Sequence, residues 1–390
     1  MNYLNNIQKL GIRVFFHNLI FAYVIERLFW QQRGMTVLMV VYTEIIYAVT
    51  IIFLEIPTGI LADKFSRKKM IVFASFLTLC EFIIIIYANN FWHFALVVFI
   101  AGISTSMVSG SETALLYDTL KKANQENKFE TVLGQIKAAD FSAALIAALA
   151  GGFLANKFNY EFNYYLSIVS VMISFMASLT LVDVKVTSNN DKPIPLKQYI
   201  TSSLQVFKNN PNITIIVVSG MFLVATLTYL DEFWQVYLNN LNIPIYSFGI
   251  FGALFLMGRI PGSLAVAKLL KKYSYKQLLS FNLLLSIVGF ILMAVIKTPL
   301  SLIALILVFL GSGLTEPLVT GYLHHRIDSK MRATIDSFLS LGLRIATIII
   351  GLVFGYIASK FSIFSGFAIL GFLCLCYYIY FVISTNKIKM

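Results

Sequence analysis

The chain has 390 residues, of which 58% are hydrophobic and only 12% charged, and its mean hydropathy is +0.81; a water-soluble globule carries about twice that charge. This excludes an ordinary soluble enzyme and places most of the chain in lipid, where a core of about 30 Å takes about 20 apolar residues per helix. The net charge of +12 raises nucleic acid as a partner, an expectation that the placement of the charge removes.

Lys9 and Arg13 flank the first apolar run, 10–31, which is too long for a signal segment and ends in Glu26, Arg27 and Trp30 instead of a small-residue cleavage site. It reads as a retained anchor. Apolar runs between charged or turn-rich breaks place further spans at 36–58, 69–88, 93–117, 131–156 and 162–182. After a polar stretch, the same reading gives 212–236, 246–267, 276–296, 300–322, 333–358 and 362–384. The expected fold is all-α and integral to the membrane, with six spans in 1–183, a linker in 184–211 and six spans in 212–390. Within the linker, Leu196, Ile200, Leu204 and Phe207 recur at helical spacing, which suggests an amphipathic helix on the membrane surface. Cys80, Cys374 and Cys376 all fall in apolar spans and read as packing residues, with neither a disulfide framework nor a metal site implied.

With the first residues placed inside the cell, 22 of the 30 basic residues fall in cytoplasmic segments, including Lys64 to Lys69, Lys121 to Lys128 and Lys268 to Lys276. The opposite loops hold only Arg33, Lys157, Lys297 and Lys360. This asymmetry is the positive-inside signature and puts both termini in the cytoplasm of a multi-pass cell-membrane protein. The basicity orients the chain and leaves no reason to expect a nucleic-acid partner.

The two halves repeat. At one shared spacing Pro57 faces Pro261, Glu112 faces Glu316 and Arg27 faces Asp231, and one residue short of it Gly152-Phe153-Leu154-Ala155 faces Gly355-Tyr356-Ile357-Ala358. Matches in equivalent places of spans 1 and 7, 2 and 8, 4 and 10, and 5 and 11 point to a duplicated six-helix unit. Parallel repeats of that kind are a transporter architecture.

Between spans 2 and 3 runs Gly59-Ile60-Leu61-Ala62-Asp63-Lys64-Phe65-Ser66-Arg67-Lys68-Lys69. Together with the span count, the repeat and the linker, it resembles the signature loop of the major facilitator superfamily, with Ser66 in place of that loop's second glycine. The resemblance implies two six-helix bundles related by pseudo-twofold symmetry and a secondary transporter that works by alternating access. It assigns Gly59, Asp63, Arg67 and Lys68 to a cytoplasmic gate in which Asp63 and Arg67 brace helix ends. The second half has Val266 where Asp63 stands, so the gate is asymmetric. Ala143 to Gly152 is similar to the small-residue stretch of drug-exporting members, without its proline, and span 4 lacks the arginine many members carry.

Ionisable groups inside spans are costly and face a cavity or a partner. They are Glu26, Arg27, Glu44, Glu55, Glu81, Glu112, Lys137, Asp140, Asp231, Glu232, Arg259, Glu316, Asp336 and Arg344. Because spans 1 and 7 meet at the outer mouth in the family, Glu26, Arg27, Asp231 and Glu232 are expected to form an outer gate. Family contacts similarly suggest Asp140 with Arg259, and Glu44 with Arg344, as pairs that either switch on protonation or stand as static ion pairs. Lys137 lies three residues from Asp140 on one helical face. Glu112 and Glu316, about 9 Å from the span ends by helix rise, read as inner-gate or packing groups. His17 reads as a core residue or a proton shuttle.

The functional expectation is a proton-coupled exporter of small amphipathic or hydrophobic organic compounds, of the drug:proton antiport kind. It needs no cofactor beyond the proton gradient. The mechanistic alternative is an uptake symporter or facilitator. An intramembrane enzyme or receptor is the alternative of another class, and the chain has neither a His-Glu-x-x-His pair nor a Gly-x-Ser-x-Gly elbow nor a nucleotide-binding loop.

Overall fold

The computed structural model describes residues 4–64, 66–184, 207–208, 210–324, 326 and 332–387. Apart from its last residues, the helix expected in the linker lies outside the described residues. Everything regular among the described residues is helical: α1 (Leu4–Asn18), α2 (Glu26–Gln32), α3 (Val37–Lys64), α4 (Arg67–Ile86), α5 (Phe91–Val108), α6 (Ser111–Lys122), α7 (Phe129–Lys157), α8 (Tyr160–Leu179), α9 (Pro211–Asn240), α10 (Phe248–Leu269), α11 (Tyr275–Val295), α12 (Leu302–His324), α13 (Arg332–Lys360) and α14 (Ile363–Lys387), with short 3-10 turns between some of them. Eleven segments among the described residues are long and apolar enough to cross a membrane. The twelfth span is the first, which is broken into α1 and α2.

Local chemistry explains several ends. Side chains at Ser66, Asn90 and Asn159 accept hydrogen bonds from the first-turn amides of α4, α5 and α8, and Ser274 with Gln277 forms a reciprocal capping box on α11. Ser66 thus has a local task at the place where the resembled loop has glycine.

Two spans depart from the continuous helices expected. Span 4 bends at Ser109-Gly110, where Gly110 takes φ 76°, a conformation that favours glycine. Beyond that point α6 runs to Lys122, past the expected end at 117. Span 1 breaks without glycine or proline. After Asn18 the backbone passes through a 3-10 turn over Phe21–Val24 before α2 begins. Its freed backbone groups are satisfied from other helices, as a membrane interior requires. Asn163 of α8 donates to Phe21 O at 3.0 Å and to Gly151 O at 2.9 Å, and Ala22 N donates to Ser167 Oγ at 3.2 Å. Gly151 makes room, since a Cβ there would come within 2.4 Å of Phe21 O.

The chain divides into two compact units, Met1–Asn190 with Pro244–Ala253, and Asp191–Ile243 with Leu254–Met390. In the first, Gly152 and Gly249 meet so closely that a Cβ on Gly152 would lie 2.6 Å from Gly249 N, which accounts for Pro244–Ala253 joining this unit. Packing order repeats: α1 lies on α7 and α8 as α9 lies on α13 and α14, and α4 lies on α5 and α8 as α11 lies on α12 and α14. The equivalence of the six-helix sets is therefore visible in which helices touch as well as in the sequence register.

Candidate functional site

Among the described residues, charge inside the spans is concentrated in four clusters, three in the N-terminal unit and one in the C-terminal unit. Toward the C-terminal end of span 1, Arg27 lies in the first turn of α2 beside Glu26 and is buried to 5% exposure. Its guanidinium donates to Glu44 of α3 at 2.8 Å, lies 3.7 Å from Glu26 and sits 4.5 Å above the Trp30 ring. The carboxylates and the ring together offset a desolvation that an isolated arginine would not survive.

The C-terminal unit holds a pair of the opposite polarity in the corresponding helices. Asp231 on α9 accepts from Arg259 on α10, whose Nε donates to Ser312 Oγ at 3.2 Å and whose guanidinium lies 5.1 Å from the Phe309 ring. Phe309 stacks on Phe255 at 4.4 Å, and Phe255 meets Trp234 edge-on at 5.2 Å. The side chains of Asp231 and Arg259 are 40% and 39% exposed, although Leu230 and Phe233 beside them are buried. A partly exposed polar pair in mid-helix thus stands against an aromatic wall. Glu232, next in the chain, is half-buried.

Within the units, Arg259 pairs with Asp231, Glu44 with Arg27, and Asp140 with Lys137, one helical turn earlier, at 3.7 Å. The last of these is an (i, i+3) pair on one helix and needs no tertiary contact at all. Arg344 on α13 is half-buried with its Nε unpartnered among the described residues.

A third cluster was not anticipated. Arg13, assigned by sequence to a cytoplasmic segment, is 1% exposed inside α1 and forms an ion pair with Glu112, while its Nε donates to Ser75 Oγ at 3.4 Å. The helix begins at Leu4, so the residue lies well within the span. Glu112 stands in the first turn of α6, just past the Gly110 bend, where a helix N-terminus favours a carboxylate. Since α6 continues to Lys122, Glu112 lies about 15 Å from that end by helix rise, deeper than expected. Arg13, His17, Glu112, Lys137 and Asp140 share the wall of one cavity of about 180 Å³. The repeat does not reproduce it: Glu316 is exposed, and the register of Arg13 is occupied by buried Val217.

The fourth cluster involves the signature loop. Arg67, in the first turn of α4, donates to Ala114 O at 3.0 Å and pairs with Asp118 of α6. Asp118 was missed because span 4 was ended at 117. Gly59 is helical with open space around it, Lys68 is half-buried, and Asp63 lies in the last turn of α3 with its side chain outside the described set. At the other end of the unit, Arg33 pairs with Glu161 at 2.8 Å and donates to Ile86 O and Ala88 O, tying the ends of α4 and α8 to the segment after α2.

The pattern of the Major Facilitator Superfamily matches residues 12–335. The chain belongs to this superfamily. It is a transporter embedded in the membrane and acting on a small-molecule substrate, and it is not an enzyme. The uncharacterized MFS-type transporter YxaM of Bacillus subtilis is 22% identical to this transporter over 85% of this chain and 84% of its own. The multidrug resistance protein MdtG of Klebsiella pneumoniae is 22% identical over 80% and 76%, and the quinolone resistance protein NorA of Staphylococcus aureus (strain COL) 25% over 76% of each. Among solved structures, the nucleoside transporter NupG superposes with a TM-score of 0.81 at 16% identity, covering 97% of this chain and 99% of that one. At that identity the likeness speaks for the fold alone.

Proposed function

We propose that this transporter exports small amphipathic or hydrophobic organic compounds across the cell membrane in exchange for protons, by alternating access. The observation that carries this reading is the Asp231–Arg259 pair, partly exposed within spans 7 and 8 and backed by Phe255, Phe309 and Trp234. A carboxylate in that position exchanges an arginine for a proton at modest cost. Once neutral, it frees Arg259 and removes the negative charge that holds an organic cation beside the aromatic rings. Proton and substrate then compete for one carboxylate, which is the requirement for antiport.

In this reading Asp231 and Glu232 carry the coupling, assisted by Arg259, with Arg344 and Asp140 as further charged groups of the transport path. Glu26, Arg27 and Glu44 stabilise the outer end of span 1 and act as the outer gate, and the loop of Gly59, Asp63, Arg67 and Lys68 acts at the inner end. Glu112 and Glu316 are the inner-third carboxylates. The positive-inside distribution supports cytoplasmic termini. The names of MdtG and NorA support a drug-like substrate for this chain.

Purified transporter in liposomes with an imposed pH gradient tests the proposal through dye accumulation. Accumulation driven by the gradient and abolished in Asp231→Asn, with facilitated flux retained, is the expected result. Gradient-independent flux in the native protein would identify a facilitator and overturn the coupling.

A further inference from the structure

The turn between α10 and α11 concentrates positive charge that transport through Asp231 does not use. Lys268 stands in the last turn of α10, and the backbone goes on winding past it, with Lys271 N donating to Lys268 O at 3.3 Å and Lys272 N to Leu269 O at 2.9 Å. The three lysines thus stand at (i, i+3) and (i, i+4), on one face, where like charges repel, and all three are exposed. No carboxylate relieves them. The sequence has no Asp or Glu between Glu232 and Glu316, and none of the three side chains is paired among the described residues. Lys276, the next cation along the chain, is held by Asn386 Oδ1 at 3.1 Å.

The duplication shows how these cations came to be free. At the spacing that puts Pro57 opposite Pro261, Lys64, Arg67 and Lys68 fall opposite Lys268, Lys271 and Lys272. In the N-terminal unit Arg67 is committed to Asp118 and to Ala114 O. In the C-terminal unit Tyr322 occupies the position of Asp118, and an apolar residue replaces Asp63, Ala267 at this spacing and Val266 one residue short of it. Tyr322 lies instead beneath Arg326, whose guanidinium is 3.7 Å from its ring. The second unit has kept the basic face of the repeat and lost the acid that occupies it in the first, so the partner of that face comes from outside the chain.

An ammonium group only donates, so that partner is an anion, and the neighbouring surface identifies its kind. Beyond the turn, α11 carries one continuous exposed apolar face, Phe281, Leu284, Val288, Ile291 and Val295, recurring at steps of three and four residues. An apolar face of that length on a span lies against lipid chains. The ring of Tyr273, 49% exposed between Lys272 and the start of α11, marks the level at which chains give way to headgroups. We propose that the α10–α11 turn is a binding site for an anionic phospholipid, its headgroup phosphate held by Lys268, Lys271 and Lys272 and its chains lying along the exposed face of α11.

The test is native mass spectrometry of the purified full-length protein, titrated with phosphatidylglycerol or with phosphatidylcholine of the same chains. The first phosphatidylglycerol is expected to bind at least tenfold more tightly than phosphatidylcholine. A lysine at an anionic lipid surface is worth about fivefold in affinity, so the double variant Lys271→Gln, Lys272→Gln should weaken that first lipid about 25-fold. The double variant Lys121→Gln, Lys128→Gln removes the same charge from a loop that has Glu126 and Glu130 among its lysines, and should change binding less than about twofold. All four positions are exposed, so the fold does not depend on them. Equal binding of the two lipids would mean that the apolar face alone selects, and equal weakening by the two double variants that the charge acts diffusely. Displacement by inorganic phosphate as effective as that by a short-chain phosphatidylglycerol would mean a site for a free anion. Each of these results overturns the proposal. None of the measurements involves flux, so this reading and proton-coupled export stand or fall separately.

Discussion

Replacing Gly151 by alanine adds one methyl group where the broken segment of span 1 crosses α7. The new Cβ would lie 2.4 Å from Phe21 O and 2.8 Å from Val24 Cγ1, against 3.4 Å or more for ordinary contact. Relief needs about 1 Å of backbone displacement, set against the hydrogen bonds from Asn163 and to Ser167 that pin Phe21 and Ala22. Overpacking of this kind costs about 1–3 kcal/mol, and loss of one of those bonds adds about 1 kcal/mol. Better helix propensity returns about 1 kcal/mol. The net loss of about 1–3 kcal/mol corresponds to a melting point lower by about 2–10 °C. Gly134, on the same helix with nothing within 4 Å of a Cβ, supplies the control: Gly134→Ala gains the propensity and meets no clash. Thermal unfolding of the two purified variants, followed by tryptophan fluorescence, decides the matter. A Gly151→Ala melting point equal to or above that of Gly134→Ala would refute the close crossing and the account of the break built on it.

Glu44→Gln leaves Arg27 buried beside the more distant Glu26, and should destabilise by about 2–4 kcal/mol, measured by thermal unfolding, with Glu44→Asp recovering part of the loss. Asp118→Asn removes the buried partner of a partly exposed Arg67 while the Ala114 carbonyl remains, so a smaller loss of about 1–2 kcal/mol is expected, together with a changed rate in the liposome assay if this contact holds the ends of α4 and α6. Gly351→Ala drives a Cβ into the ring end of Tyr229, whose hydroxyl donates to Thr347 O at 2.6 Å; a loss of about 1–3 kcal/mol should result, and pairing it with Tyr229→Phe should return only part of it, because the ring carbon Cζ would still lie 2.4 Å from the new Cβ.

The span count, the duplication and the signature loop were legible because each is a local pattern: apolar run length, residue identity at a fixed spacing, and a short motif. What escaped was set by distant partners. Leu19 to Val24 reads as uninterrupted helix, and the side chain that holds its break open, Asn163, lies 142 residues away from Phe21. Arg13 reads as a loop cation because it stands near the start of an apolar run, and only the position of Glu112 across the bundle makes it a buried partner. Arg27 with Glu44 and Asp231 with Arg259 each pair within one unit, partners fixed by side-chain reach and invisible in the register.

The broken span 1 and the continuous span 7 show how one duplicated scaffold acquired different interiors. In the register that aligns Gly152 with Gly355, the positions of Gly151, Asn163 and Ser167 are taken by Phe354, Gly366 and Leu370. The C-terminal unit therefore lacks the amide and hydroxyl that could receive a freed backbone, and α9 runs unbroken from Pro211 to Asn240. In their place Phe354 packs against Tyr229, Phe233 and Phe367 at ring separations of 5.4, 5.2 and 5.7 Å. A break in a membrane helix persists only where something else satisfies its backbone, so the polar side chains of α8 are the cause of the irregular span and the aromatic cluster is the reason for the regular one. The consequence reaches the charges. The break allows Arg27 and Arg13 to sit on separately oriented pieces of one span, so that the N-terminal unit carries two buried arginine sites, Glu44 and Glu112 serving one each, where the described residues of the C-terminal unit hold one such pair, between the unbroken α9 and α10.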